Sequence, residues 1–515
     1  MIFYNKNFPE EVFFSKIRNF LIFITFIFSI IQIYISNFNF NSFLIVLIIF
    51  LSSTITNIVL LNKKIFLENF LCILIVFPVN FAYLLGPLLI KTFLFQDISS
   101  NLYLPTKTFL IAAIYQLILV FALFIYSRSN NLKNISSKLS KKIIFKLEGF
   151  QIPSNKFIYL LFFILFIIRF YLIFKGMYGQ NLDSYGNIFQ KILEGFNLLF
   201  YLPLFFNFYL FQNQKISKKN FFILLFFYLI SGFLFGYASN SRTTFFSFFF
   251  YLFFLIFVFK IFNYKKYIKT FNFFLSIIFC LIILNINFIS NNILDKRSLR
   301  DLYSPSEILK LSFSKSNIER KKIYIELDLI NPLYTNNIVL DRILTINYLD
   351  RYLYRSNNFN TSQKKEFNSY IKNRFLTILP QNFIKIFHED FEKNNYIIAT
   401  GSLIDRVYNG KDIGGLLATG TFLVEIFLFF DSYTIGFIFL FFLFLFSFTA
   451  INSLFIKEKE HTIISPLLSA FLIYFISSGF VDSLRDFFTI YTRSIIQSAI
   501  LYFLIYKFHK IFLIK

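Results

Sequence analysis

The chain has 515 residues, 57% of them hydrophobic, and its 51 Lys and Arg against 27 Asp and Glu give a formal charge of +24. High apolar content combined with strong basicity excludes an ordinary soluble globular protein. A nucleic-acid binder carries its basic groups on a soluble surface, whereas here they punctuate apolar runs near the length of a bilayer crossing, so the expected surroundings are membrane lipids and not nucleic acid. The 84 Phe and the absence of Trp, beside abundant Ile, Asn, Lys and Tyr, read as compositional drift and not as a functional signal. Cys72 and Cys280 lie far apart inside apolar stretches, which argues against a disulfide framework or a thiolate metal site.

About 20 apolar residues cross a bilayer as a helix, because backbone polar groups must be satisfied within the segment. The pattern predicts about 12 such helices, near 20–36, 42–61, 67–90, 108–126, 157–174, 196–212, 221–238, 244–260, 270–290, 433–454, 463–480 and 487–506. The first is preceded by Lys6, Lys16 and Arg18 and lacks a small-residue cleavage site, so it reads as an uncleaved signal anchor. Alternate helix ends on the N-terminal side hold 24 Lys and Arg and the short connections on the opposite side hold 7, and the positive-inside rule therefore puts both termini in the cytoplasm. The basic segment 127–156 falls on the cytoplasmic side and is expected to lie on anionic lipid.

The chain divides accordingly into a membrane region at 1–290 with nine predicted helices, a large external loop at 291–416, and a segment at 417–515 that returns to the membrane and contributes three more. The loop carries 19 Lys and Arg and 14 Asp and Glu, more than half of all the acids, and is too long for a connector and too apolar for a disordered tail. Helical stripes run through Ile343, Leu344, Leu349, Tyr352 and Leu353 and through Phe367, Tyr370, Ile371, Phe375 and Ile378, with Pro380 as a stop. The fold class expected is an all-α polytopic membrane protein with one large, mostly helical external loop.

Charges that persist in or beside apolar segments are costly and mark functional sites more often than surface charges do. Arg169 lies in the outer half of the fifth span, where it either faces an externally open anion site or pairs structurally. Arg242 occupies the external turn Asn240-Ser241-Arg242-Thr243-Thr244. Glu425, flanked by Phe422, Leu423, Val424, Ile426 and Phe427, has a raised pKa unless it is paired; unpaired it suits a general base, and paired it is an arginine's partner. Asp482, Arg485 and Asp486 form the last external turn, with Arg493 following, and read equally as a phosphate clamp or an ion-pair cluster. His388, the external histidine, is either a base or simply solvated. The three histidines do not cluster and no carboxylate pair has metal spacing, so no protein-bound metal and no cofactor is expected.

The stretch from Gly232 through Gly236 to Ser241-Arg242-Thr243, before a Phe/Leu-rich span, resembles the arginine-bearing turn of bacterial O-antigen polymerases, the Wzy family. The run Gly414-Gly415-Leu416-Leu417-Ala418-Thr419-Gly420-Thr421-Phe422-Leu423-Val424-Glu425-Ile426-Phe427, followed by Gly436, is similar to that family's segment leading back into the membrane, although Asp431 stands where the family has a glycine. Arg374-Phe375-Leu376-Thr377-Ile378-Leu379-Pro380 with Lys385 is similar to its loop pattern. The resemblance implies a glycosyltransferase of the bacterial inner membrane that works on the periplasmic face. There it would move a growing glycan from one polyprenyl pyrophosphate onto another lipid-linked repeat unit in surface polysaccharide or lipopolysaccharide synthesis, alongside a chain-length regulator protein. It further implies Glu425 and Arg242 as catalytic residues and Arg169, Arg374, Arg406 and Arg485 as substrate-binding residues. The related O-antigen ligases carry a histidine early in the returning segment, where Ala418 to Thr421 has none. A flippase or transporter of lipid-linked oligosaccharides would show internal repeats and not a single long external loop.

Overall fold

An apolar helix in a bilayer satisfies its own backbone hydrogen bonds, and runs of Phe, Ile and Leu then turn their side chains to lipid or to one another. The structure, a computed structural model, describes residues 2–4, 11–147, 150–151, 154–174, 188–213, 215–239, 247–249, 251–252, 254–256, 307, 334–335, 340–341, 344–379, 381–396, 398–410, 421–457, 461–468, 470–471, 479 and 482–513. Among them, eight helices are long and apolar enough to cross a membrane: Glu11–Ile35, Phe40–Leu60, Phe70–Phe93, Pro105–Arg128, Asn155–Phe174, Lys218–Gly236, Tyr433–Asn452 and Leu484–Ile511. Each overlaps a span expected from the sequence. Large apolar side chains such as Phe20, Phe23, Ile167 and Phe226 stay exposed on their outer faces, as contact with lipid requires.

Three expectations change. The expected sixth span is divided into Ile188–Leu198 and Leu202–Gln212 by a 3-10 turn at Leu199–Tyr201, with Pro203 opening the second piece. The eleventh, expected from 463, begins instead at the end of a strand. Strands β1 (Ile2–Tyr4), β2 (Phe455–Lys457) and β3 (His461–Ile464) form a small antiparallel sheet in the order β1-β3-β2, so the fold is helical but not purely so. The remainder of the eighth and eleventh spans lies mainly, and the ninth wholly, outside the described residues.

Helix ends sort into two poles. At one, β1 pairs with β3, Lys133 bridges Glu68 at 3.0 Å, the Ser136 hydroxyl donates to the Thr449 carbonyl, and Ser154 bonds His509. At the other, the Ser42 hydroxyl donates to Asp97 and the Gln32 amide to the Gln96 carbonyl. Regions expected on one side of the membrane thus meet one another, as alternating crossings demand.

The loop is seated on that second pole. Its helix Ile346–Asn357 presents Asp350, whose carboxylate accepts the Tyr103 and Leu104 backbone N–H groups at 2.6 and 2.8 Å and the Thr108 hydroxyl at 2.8 Å. A carboxylate from the loop therefore caps the N-terminus of the membrane helix Pro105–Arg128, whose own N-cap residue, Leu104, has no side chain able to do so. Beside it, Leu344 packs so closely on Gly86 that a Cβ there would meet its Cδ2 at 2.7 Å. The two loop helices expected from the stripes are present as Ile346–Asn357 and Thr361–Leu376, with Leu349, Tyr352, Leu353, Phe367, Tyr370 and Ile371 buried.

Asp350→Asn, which keeps shape but loses the charge on a carboxylate holding three donors, is expected to lower stability by about 1–2 kcal/mol. Thermal unfolding in detergent checks this, and an unchanged midpoint would show that the loop is not held by this cap.

Candidate functional site

The loop and the returning segment meet around one carboxylate. Helix Phe422–Phe430 is apolar except for Glu425 in its first turn, and its residues from Phe422 to Leu428 are all buried. Two features fix its position. Asp431 closes the helix at φ 47°, in the left-handed region that favours glycine. An aspartate nevertheless occupies that position, and its carboxylate bridges Lys364 at 2.7 Å. Gly436 lets helix Tyr433–Asn452 turn back against Phe427, since a Cβ would lie 2.7 Å from that ring.

Around Glu425 the partners come from three separate elements. The Thr400 hydroxyl donates to Glu425 Oε2 at 2.9 Å and accepts from Arg374 Nη1 at 2.8 Å, and Arg374 Nη1 lies 3.5 Å from the same Oε2. The Leu484 N–H donates to Oε1 at 3.3 Å. Asp482 accepts the Thr400 N–H at 2.7 Å and faces Arg374 Nη2 at 3.5 Å. Thr400 and Leu484 each open a helix, Thr400–Asn409 and Leu484–Phe488, so two helix N-termini direct N–H groups at two carboxylates. Ser483 caps the second of these and bonds Asp486, which in turn holds Arg485 at 3.2 Å.

Charge is unevenly balanced here. Among the described residues, Glu425, Asp482 and Asp486 surround Arg374 and Arg485, three acids to two guanidinium groups. Complete burial raises the Glu425 pKa from 4.5 to about 7; Arg374 and the Thr400 hydroxyl oppose the shift, and Asp482 and Asp486 add to it. Burial disfavours the Arg374 cation, but its carboxylate neighbours more than offset this and hold it charged. The Arg374 Nε is buried and finds no hydrogen-bond partner among the described residues.

A second ion cluster adjoins the first. Asp405 is buried and bridges Arg351 at 3.0 Å and, through its other oxygen, Arg355. Among the described residues this cluster has two guanidinium groups and one acid. Tyr352 stands between the clusters, within electrostatic reach of Arg351, Arg355 and Asp482, and its buried hydroxyl makes no hydrogen bond among the described residues. Burial pushes that hydroxyl up to about 12.

Of the residues singled out in the sequence, the structure brings together Glu425, Arg374, Arg485, Asp482 and Asp486. Arg406 sits on the adjoining helix with its guanidinium 5.4 Å from the Tyr370 ring centre. Arg169 lies elsewhere: its guanidinium is buried over Phe200 at 4.4 Å, with Tyr201 and Phe235 at 5.5 and 5.6 Å. His388 is exposed. Arg242 and the stretch Gly414 to Gly420 lie outside the described residues. Sequence reasoning missed Thr400, Asp405, Arg351 and Arg355. Only the pair Arg351 and Arg355, spaced i, i+4 beside the apolar stripe of helix Ile346–Asn357, left a readable trace. Comparison with family models, with curated proteins and with solved structures finds no match to this chain.

The folded chain holds the Glu425 proton more tightly than the unfolded chain does, since the pKa rises from 4.5 to about 7. Stability from this group is therefore greatest below pH 4.5 and declines as pH rises toward 7, by up to roughly 3 kcal/mol. Glu425→Gln, which cannot titrate, should flatten that decline in unfolding measured between about pH 5 and about pH 8. Parallel profiles for the two proteins would show that Glu425 is ionised throughout.

Proposed function

We propose that the chain is a polymerase of lipid-pyrophosphate-linked oligosaccharide repeat units. In this reading it crosses a bacterial inner membrane about twelve times with both termini in the cytoplasm, and its chemistry takes place on the periplasmic face. The observation that carries the reading is Glu425: a buried carboxylate with a pKa near neutrality, held by Arg374 and Thr400 where a folded external loop meets the returning membrane segment. A general base works best when its pKa lies near the working pH.

The acceptor sugar hydroxyl attacks the anomeric carbon of the donor glycan. As the new glycosidic C–O bond forms, the bond from that carbon to the polyprenyl pyrophosphate oxygen breaks, the hydroxyl proton passes to Glu425, and the lipid pyrophosphate departs with its electron pair. The leaving group takes no proton at the moment of departure but gains negative charge, which guanidinium groups match with their fork geometry. Arg242, Arg406 and Arg485 are assigned to that anion, joined by Arg351 and Arg355 of the adjoining cluster. Arg374, engaged by Glu425 and Asp482, acts as the partner that orients the base.

The test uses membranes containing the full chain and lipid-linked repeat units. Glu425→Gln should cut polymer formation by about 10² to 10⁴ while single lipid-linked units accumulate; near wild-type polymer would refute the assignment. Arg242→Lys should also lower polymer sharply, because it keeps charge but loses bidentate geometry. For the topology, a cysteine placed at the exposed Ser362 should react with a membrane-impermeant reagent in intact spheroplasts, and protection would reverse the orientation.

A further inference from the structure

At the pole opposite the Glu425 site, the chain leaves helix Pro105–Arg128 and turns at once into helix Asn130–Leu139, which continues through a wider π turn at Ser140–Ile144. One side is fixed to the protein. Ser136, Ser140 and Ile144 are buried at a spacing of four, the Ser136 hydroxyl reaches Tyr126 and the Thr449 carbonyl, and Lys133 is paired with Glu68. The other side is exposed and carries Lys138, Lys141, Lys142 and Lys146 with Ile135 and Phe145 among them.

We infer that this face is a binding surface for the headgroups of anionic phospholipids in the leaflet beside it. Three observations carry the inference. From Ser127 to Leu147 the sequence carries six Lys and Arg and no Asp or Glu, Glu148 being the first acid after it, so the segment is strongly basic. The segment follows directly on a 24-residue membrane helix, about 36 Å long, which sets it at the depth of the headgroups. Exposed Ile135 and Phe145 beside lysines match the interface between acyl chain and headgroup, where apolar side chains enter the hydrocarbon boundary and lysine ammonium groups meet phosphate. A soluble acidic partner would satisfy the charge but would leave the two apolar side chains without a matching surface. The inference stands apart from the proposed polymerase activity, since none of these residues belongs to that site.

A fluorophore on a cysteine at the exposed Asn134, in a chain whose Cys72 and Cys280 are replaced by alanine, reports the local lipid when quenched by brominated phospholipid. In bilayers mixing phosphatidylcholine with phosphatidylglycerol, brominated phosphatidylglycerol should quench with an apparent affinity about tenfold above that of brominated phosphatidylcholine, and the preference should fall as salt is raised. Replacing Lys138, Lys141, Lys142 and Lys146 together by glutamine should bring the two lipids to parity, while the same four changed to arginine should keep the preference. Equal quenching by the two lipids in the wild-type background overturns the inference, and so does a preference that persists in the folded glutamine variant. If the glutamine variant does not fold, the salt dependence and the arginine variant still decide.

Discussion

Burying an arginine is costly unless polar or charged partners surround it, and Arg374 meets that constraint by drawing together parts of the chain that lie far apart in sequence. Its guanidinium meets Thr400 from the same loop, Glu425 from helix Phe422–Phe430 and Asp482 from the turn before the last helix. Removing one partner of a buried pair typically costs about 3–5 kcal/mol, because the other charge is left desolvated. The geometry of Glu425 follows from where this cation sits, whereas the raised pKa of the carboxylate comes from its burial, which Arg374 only partly offsets.

The rest of the loop is oriented by similar means. Asp350 caps a membrane helix that has no cap of its own, and Leu344 fits against Gly86 where a side chain would clash. Asp405 then holds Arg351 and Arg355 on the helix that carries Asp350. Among the described residues, three acids stand with two guanidinium groups on one side of Tyr352, and two guanidinium groups with one acid on the other. In the proposed function the first cluster supplies the proton acceptor and the second the seat for the pyrophosphate.

Much of the membrane framework was legible because lipid imposes a simple rule: a long enough apolar run must be a helix. Helix Asn155–Phe174 falls within two residues of the expected 157–174, and helix Tyr433–Asn452 agrees as closely with 433–454. The small sheet was not legible, since strands of three and four residues are too short for alternation to show, and β1 finds its partner at the far end of the chain. Glu425 was legible as an acid among aromatic and aliphatic neighbours, but its pairing with Arg374 was left open, because a contact across some fifty residues leaves no period in the sequence. Thr400 gave no signal at all. A threonine after an alanine looks like any helix start, and its value lies in a hydroxyl that accepts from one charge and donates to the other.

The central claim is that Arg374 and Glu425 act as one unit joining loop to bundle, and a double-mutant cycle measures it most directly. Unfolding free energies for Arg374→Met, Glu425→Gln and the double variant, taken in detergent at neutral pH, should give a coupling energy of about 1–3 kcal/mol, with the double variant less destabilised than the two single losses added together. Additive losses within about 0.5 kcal/mol would show that the two side chains do not share an interaction, and the account of the site built on them would fail.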